Sequence, residues 1–347
     1  MEYNYLKTRC EGASLWVEIH NPPGNFLTLD LLEELHGVFK QARRDDSLRV
    51  VILTGGREDS YIMHFAVHEL AMLTTHLRRM MMPVIIRFQL TSALLKHYMT
   101  FTNWLMDRFA WVEPIVLWQA KLIRKFSSGI FLWYQMHRLH LAIENMNKVT
   151  VAAINGACNG GGTEISACFD FRFMVADQGF SIGQPEVLVS MVPGGGSTQR
   201  LPRLIGRAKA LELMLRGNQL TPQEAKRIGL LTDVFDKKDF RQKVQEFADL
   251  MSKRPPIAIA AIKTAVLQGM DTTLRHGLSI ELEQSVRCFD TQDTEMALRK
   301  YGAYIDENIR NRAAEYEAAT TEELVKEANN TLDMMENARL FDAFTGR

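Results

Sequence analysis

Cysteine is scarce. Four occur in 347 residues (Cys10, Cys158, Cys168 and Cys288), and no two form a CxxC pair. That argues against a zinc site and a disulfide framework, and makes a reducing, cytoplasmic compartment the expectation. Net charge is lacking as well: 41 Lys and Arg balance 41 Asp and Glu. The molecule as a whole therefore offers no argument for nucleic acid as a partner. No uncharged apolar run reaches the roughly 18 residues of a membrane span. The first eleven residues carry Glu2, Lys7, Arg9 and Glu11 and no apolar core, unlike a secretory signal. No GxGxxG follows an early strand, and no lysine closes the later glycine run, which disfavours a nicotinamide enzyme and a nucleotide P-loop. What is present is the balance of a folded globular chain, 46% hydrophobic and 24% charged.

Residues 14–19 alternate apolar and polar positions and read as a strand. A turn cluster at 21–25 precedes a helix over 31–43, with Leu32, Leu35, Val38 and Phe39 on one face and Asp30 as the expected N-cap. Residues 49–54 form a β-rich run ending in Gly55-Gly56. The grammar repeats with a strand over 149–154, a glycine turn, a helix over about 161–168 and a strand over 171–175. This order predicts an α/β architecture. Beyond Pro202 the pattern is helical, with helices over 209–215, 222–228, 241–251 and 257–268, and one or two exposed helices over about 310–340. Residues 71–140 stand apart. They hold nine Lys/Arg against two acids, a local balance of +7, and four of the five tryptophans. They read as a basic, aromatic helical insert broken at Pro83 and Pro114.

The central stretch runs Asn155-Gly156-Ala157-Cys158-Asn159-Gly160-Gly161-Gly162-Thr163-Glu164. Three glycines between a strand and a helix let the backbone approach a ligand and leave helix-start amides unpaired, able to hold a developing oxyanion. The same residues are equally compatible with a tight turn whose Glu164 complements the helix dipole. A second carboxylate, Glu186, follows Gly183-Gln184-Pro185 and precedes a second cluster, Gly194-Gly195-Gly196. Alone it reads as a solvated loop residue. Two glutamates beside two glycine turns can divide acid and base work.

These motifs, with Ala152-Ala153-Ile154-Asn155-Gly156, Asp170, Pro193 to Leu201 and Ala225 to Leu230, resemble the enoyl-CoA hydratase/isomerase (crotonase) superfamily from about 148 to 235. Weaker similarity covers 1–70 and 240–310. The resemblance implies a ββα superhelix: a core of 1–70 and 141–240, the insert 71–140, a C-terminal helical region 241–310 that helps build homotrimers or dimers of trimers, and an extra helical tail 311–347. It also implies an acyl-CoA or acyl-carrier thioester substrate, a place in fatty acid metabolism, and no metal or separate cofactor, coenzyme A being part of the substrate. The thioester oxygen would lie between the amides of Phe65 and Gly161, with Glu164 and Glu186 as acid and base and Gly194 near the water. Both carboxylates together favour hydration of a 2-enoyl-CoA, with isomerisation, hydrolysis, decarboxylation or a non-catalytic binding relative as alternatives.

The sequence departs from the family in three places. His64-Phe65 replaces small residues and, with His68, is expected to reshape the substrate pocket; both histidines are also compatible with structural roles. The spacing from Asp170 to Glu186 is 16 residues, about two longer than the family pattern, an excess that Asp177-Gln178-Gly179 can absorb as a loop. The insert admits three readings: a lid over a bulky acyl chain, a peripheral surface for membrane or carrier protein, or a helical hairpin at a subunit contact. Lys263 and Arg275 are candidates for the CoA phosphates.

Overall fold

The computed structural model describes residues 3–57, 59–69, 71, 97, 98, 101, 102, 105, 109, 112, 115, 116, 118, 119, 128–308, 320–336 and 344–346. The breaks expected at Pro83 and Pro114, and residues 310–319 and 337–340 of the helical tail expected over about 310–340, lie outside the described residues.

The chain begins with β1 (Leu6–Glu11) and β2 (Ser14–Ile19), paired antiparallel. Helix α1 (Leu29–Arg44) follows, then β3 (Val50–Gly55) and β4 (Ser60–Ile62). Thr28, not Asp30, caps α1: its hydroxyl accepts from Leu31 N at 3.3 Å. The helix starts earlier than its apolar spacing suggests because Leu29 is also buried, and Asp30 becomes a first-turn carboxylate facing the helix dipole. Next come α2 (Ser128–Glu144), β5 (Val149–Ile154), β6 (Ala157–Asn159) and α3 (Gly161–Ser166). The boundary drawn at 140 falls inside α2, whose residues Phe131, Leu132, Tyr134, Leu139 and Ile143 are buried against α1 and the sheet, so the last ten residues of the presumed insert contribute to the core.

Two sheets result. Strands β2, β3 and β5 run parallel and are joined by β7 (Phe171–Val175) and β10 (Asp233–Phe235) in the order β1-β2-β3-β5-β7-β10. The second sheet places β4 and β6 beside β8 (Ile182–Gly183) and β9 (Gln219–Leu220). The chain steps from first sheet to second at β3/β4, β5/β6 and β7/β8, which gives the stacked ββα turns. Strands β3 and β5 are buried on both faces, so they are near-continuous apolar runs rather than alternating ones. One face (Val51, Leu53, Ala152, Ile154) meets α1 and α2. The other (Val50, Ile52, Val149, Val151, Phe173) meets Phe240, Val244 and Ala248 of the helix Phe240–Ser252.

Downstream of β8, a 3-10 turn over Glu186–Val189 leads into the helix Ser197–Arg216, which breaks at Gly206 (φ 76°). Helices Pro222–Arg227, Phe240–Ser252, Pro256–Met270, Leu274–Phe289, Gln292–Asn308 and Thr321–Glu336 complete the described chain. No helix among the described residues is long and apolar enough to cross a membrane.

Candidate active site

The two glycine turns meet at the end of the second sheet. Gly160 adopts φ 53°, ψ −119°, a conformation open mainly to glycine, and swings the chain from β6 into α3. A Cβ on Gly160 would lie 2.8 Å from Glu186 Oε1, and one on Gly195 would lie 2.6 Å from Glu164 Oε2. Each carboxylate is thus packed against the bare backbone of the opposite glycine turn.

Glu164 is almost fully buried. Its Oε1 accepts from Gly195 N at 2.6 Å and Ser197 N at 3.4 Å. Burial pushes its carboxyl up from 4.5 to about 7, helped by the nearby Glu186 charge and opposed by those two amides and Arg200. Glu186 is also pushed up, by burial. Gln184 joins the two acids. With its amide turned to serve both carboxylate oxygens, its NH2 donates to Glu186 at 2.8 and 3.1 Å, and its oxygen accepts from Ser197 Oγ at 2.6 Å. Ser197 N in turn reaches Glu164, so a buried polar chain runs from one carboxylate to the other.

The amides of Phe65 and Gly161 have free N–H groups among the described residues. Each has a physical reason. Gly161 is the first residue of α3, so no helical carbonyl lies behind it. Phe65 bridges Leu27 in parallel register, where the bonds are made by His64 O and Ala66 N, so its own N–H points away from that strand. Asn159 N donates to Met63 O at 3.1 Å, which makes 63–65 and 159–161 neighbouring segments. The Phe65 ring lies directly on Gly161, in the space a Cβ would need.

Helix α2 presses the second glycine turn from outside. Trp133, His137, His140 and Glu144 follow at intervals of four, three and four, one stripe of an α-helix. Trp133 Nε1 would be 3.0 Å from a Cβ on Gly194, and His137 hydrogen-bonds the Gly194 backbone. The Nδ1 of His140 lies 2.7 Å from Gly195 O. Glu144 takes Arg200 through two bonds of 2.8 and 3.0 Å, and Arg200 also donates to Gly195 O at 3.1 Å.

Residues 124–306 match the model of the enoyl-CoA hydratase/isomerase family. The chain belongs to that family. It is 28% identical over 302 residues to the short-chain-enoyl-CoA hydratase of Clostridium acetobutylicum, covering 87% of this chain and 95% of that one. It is 38% identical over 151 residues to the crotonyl-CoA hydratase of Syntrophomonas wolfei, covering 44% of this chain and 57% of that one. The chain spans less than two thirds of the length of the first curated relatives it matches. The crystal structure of an enoyl-CoA hydratase from Bacillus anthracis superposes with a TM-score of 0.66 at 26% identity, over 87% of this chain and 97% of that chain. A Geobacillus kaustophilus structure at 23% identity superposes at 0.67 and supports the fold.

Among the site residues expected of an enoyl-CoA hydratase/isomerase relative, Glu164, Glu186, Phe65, Gly161 and Gly194 gather around the two glycine turns. His64 joins them. Its Nδ1 is 2.6 Å from Phe65 O, its ring packs on Phe26 at 4.7 Å, and its Cβ would lie 3.8 Å from a Cβ on Gly160, the same bare position that Glu186 approaches. His68 is exposed and makes no contact with this group among the described residues. Asp177–Gly179 forms a surface turn closed by Gly179 N on Asp177 Oδ1 at 2.8 Å, and Glu186 keeps its place. Lys263 corrects an expectation. It is committed to Asp170 Oδ2 at 2.6 Å and Lys148 O at 2.9 Å, leaving Arg275, which is exposed, as the candidate for phosphate. Reading by sequence missed Gln184, Ser197 and the α2 stripe. The four-three-four spacing of polar and aromatic residues just before β5 was the signal for the stripe.

Proposed function

We propose that this protein hydrates a 2-enoyl-CoA, with the amides of Phe65 and Gly161 as the oxyanion hole and Glu164 and Glu186 as the acid–base pair. One observation carries the reading: two free amides and two linked carboxylates meet at the same pair of glycine turns. Water attacks the β-carbon and gives its proton to the ionised carboxylate. The π electrons move to the thioester oxygen, where each preorganised amide stabilises the enolate by about 3 kcal/mol. The protonated carboxylate then supplies the proton at the α-carbon, and the pair resets by exchange with water. Glu164 holds the shared proton to higher pH, since it is the more deeply buried and faces the charge of Glu186. Relatives named crotonyl-CoA and short-chain-enoyl-CoA hydratase support a short 2-enoyl chain as the first substrate to try.

Homo-oligomerisation, expected as a trimer, goes with this reading. Leu274, Leu278, Leu282, Val286 and Phe289 form an exposed apolar stripe along one helix, the kind of surface a second copy of the chain covers. A peripheral contact with membrane or carrier protein through 71–140 is carried by the charge and tryptophan content of that segment alone.

The test is Glu186→Gln assayed with crotonyl-CoA by loss of the conjugated-thioester absorbance. The variant should keep its circular dichroism spectrum and lose hydration by about 10²–10⁴-fold. Activity equal to wild type refutes the assignment.

A further inference from the structure

His140 is fully buried on a helix face whose neighbours, Leu139 and Ile143, are core residues. Its Nδ1 lies 2.7 Å from the Gly195 carbonyl, an acceptor only, so Nδ1 carries the hydrogen. Nε2 is then a bare acceptor, and it has no partner among the described residues. An orphaned buried nitrogen is unfavourable, and an apolar side chain here would avoid it. The single bond to Gly195 is what the imidazole contributes in return.

Gly195 is where that bond matters. It has no side chain to anchor it, and its N–H is the closer of the two donors to Glu164, at 2.6 Å. Its carbonyl is held by His140 and, at 3.1 Å, by Arg200. A Cβ on Gly195 would come within 2.6 Å of Glu164 Oε2 and 3.0 Å of His140 Cε1, so imidazole and carboxylate flank the same bare backbone. We propose that His140 is a positioning residue for Glu164: its Nδ1–H fixes the Gly195 carbonyl and thereby keeps the amide of the same glycine aimed at the carboxylate. The inference rests on the reading of Glu164 as one of the acid–base pair.

The surrounding charges fit the role. His140 faces Arg200 from the helix Ser197–Arg216, His137 from its own helix and Glu164 from α3; burial, then Arg200, hold it neutral, down to about 3. Glu164 faces Glu186 from the 3-10 turn, Arg200, and the Cys168 thiol just past α3. His140 therefore places a donor beside the site without adding a charge that would shift with pH.

The experiment uses the full chain, labelled at glutamate Cδ, and compares wild type, His140→Leu and His140→Asn. Asn keeps an N–H close to the Nδ1 position. Two readouts are taken: the NMR titration of Glu164, and the pH profile of kcat/KM for crotonyl-CoA. Losing the aimed Gly195 amide removes a hydrogen bond to the charged form, so His140→Leu should raise the Glu164 midpoint by about one pH unit. The alkaline limb of the profile should rise with it, while His140→Asn stays with wild type. A folded Leu variant with an unmoved midpoint overturns the proposal. Nitrogen-15 spectra of wild type supply a second arm that needs no variant: His140 must remain the neutral Nδ1–H tautomer from about pH 5 to 9, and a protonated or Nε2–H form overturns the proposal too. Should wild type fail to hydrate any 2-enoyl-CoA, the functional reading falls, while the titration still decides the role of His140.

Discussion

Glu164→Gln should make the protein more stable in alkaline solution while silencing it as a hydratase. Burial raises the Glu164 carboxyl from 4.5 to about 7, so the folded state binds this proton more tightly than the unfolded chain does. Linkage fixes the sign. The stability contributed by the protonated form is complete below about pH 4.5 and is lost as pH rises through 7. A displacement of this size corresponds to about 3 kcal/mol, spread across that window. Glutamine keeps an oxygen to accept from Gly195 and Ser197 and never ionises. Urea denaturation of both proteins at pH 5, 6, 7 and 8, at one protein concentration, should show the variant gaining on wild type with each step. The difference should be small at pH 5 and approach about 3 kcal/mol at pH 8. A difference that does not change with pH refutes the claim that this carboxylate ionises at a cost inside the fold.

Three further outcomes follow from the geometry. The pH profile of kcat/KM, which reports groups of the free enzyme, should be bell-shaped, with its alkaline limb near 7 where Glu164 gives up the shared proton; a flat profile up to pH 9 contradicts this. Gly195→Ala places a Cβ 2.6 Å from Glu164 Oε2, and should cost about 1–3 kcal/mol in chemical denaturation and about 10²-fold or more in crotonyl-CoA hydration. Leu282→Glu, on the exposed stripe of the helix Leu274–Phe289, should lower the mass seen by light scattering to that of one chain; an unchanged oligomer places the contact elsewhere.

Much of the core could be read from the residues because both faces of its strands are covered. Val149–Ile154 and Ser14–Ile19 have the expected bounds, and β3 is displaced by one residue. Strand β1 was not legible. It is an edge strand with Lys7, Thr8, Arg9 and Cys10 all exposed, so neither alternation nor an apolar run marks it. The end of the block 71–140 was illegible for a related reason. None of the three readings of that block, as a lid, a membrane or carrier surface, or a hairpin at a subunit contact, set Trp133, His137 and His140 against a glycine turn more than fifty residues downstream. A polar side chain on a core-facing helix stripe looks like solvent exposure until its partner is known. In the site, the two glutamates and the glycine turns were visible as motifs. The bonds that aim them, Gln184 to Glu186 and Gly195 N to Glu164, depend on how three separate turns close on each other.

The claim that two backbone amides grip the thioester oxygen is tested most directly by infrared difference spectroscopy of bound butanoyl-CoA labelled with carbon-13 at the thioester carbonyl. This saturated ligand has no double bond to hydrate, so the spectrum reports binding alone. Donation from Phe65 and Gly161 should move the carbonyl band to lower wavenumber than in free butanoyl-CoA. A band at the free position, with the ligand bound, contradicts the account.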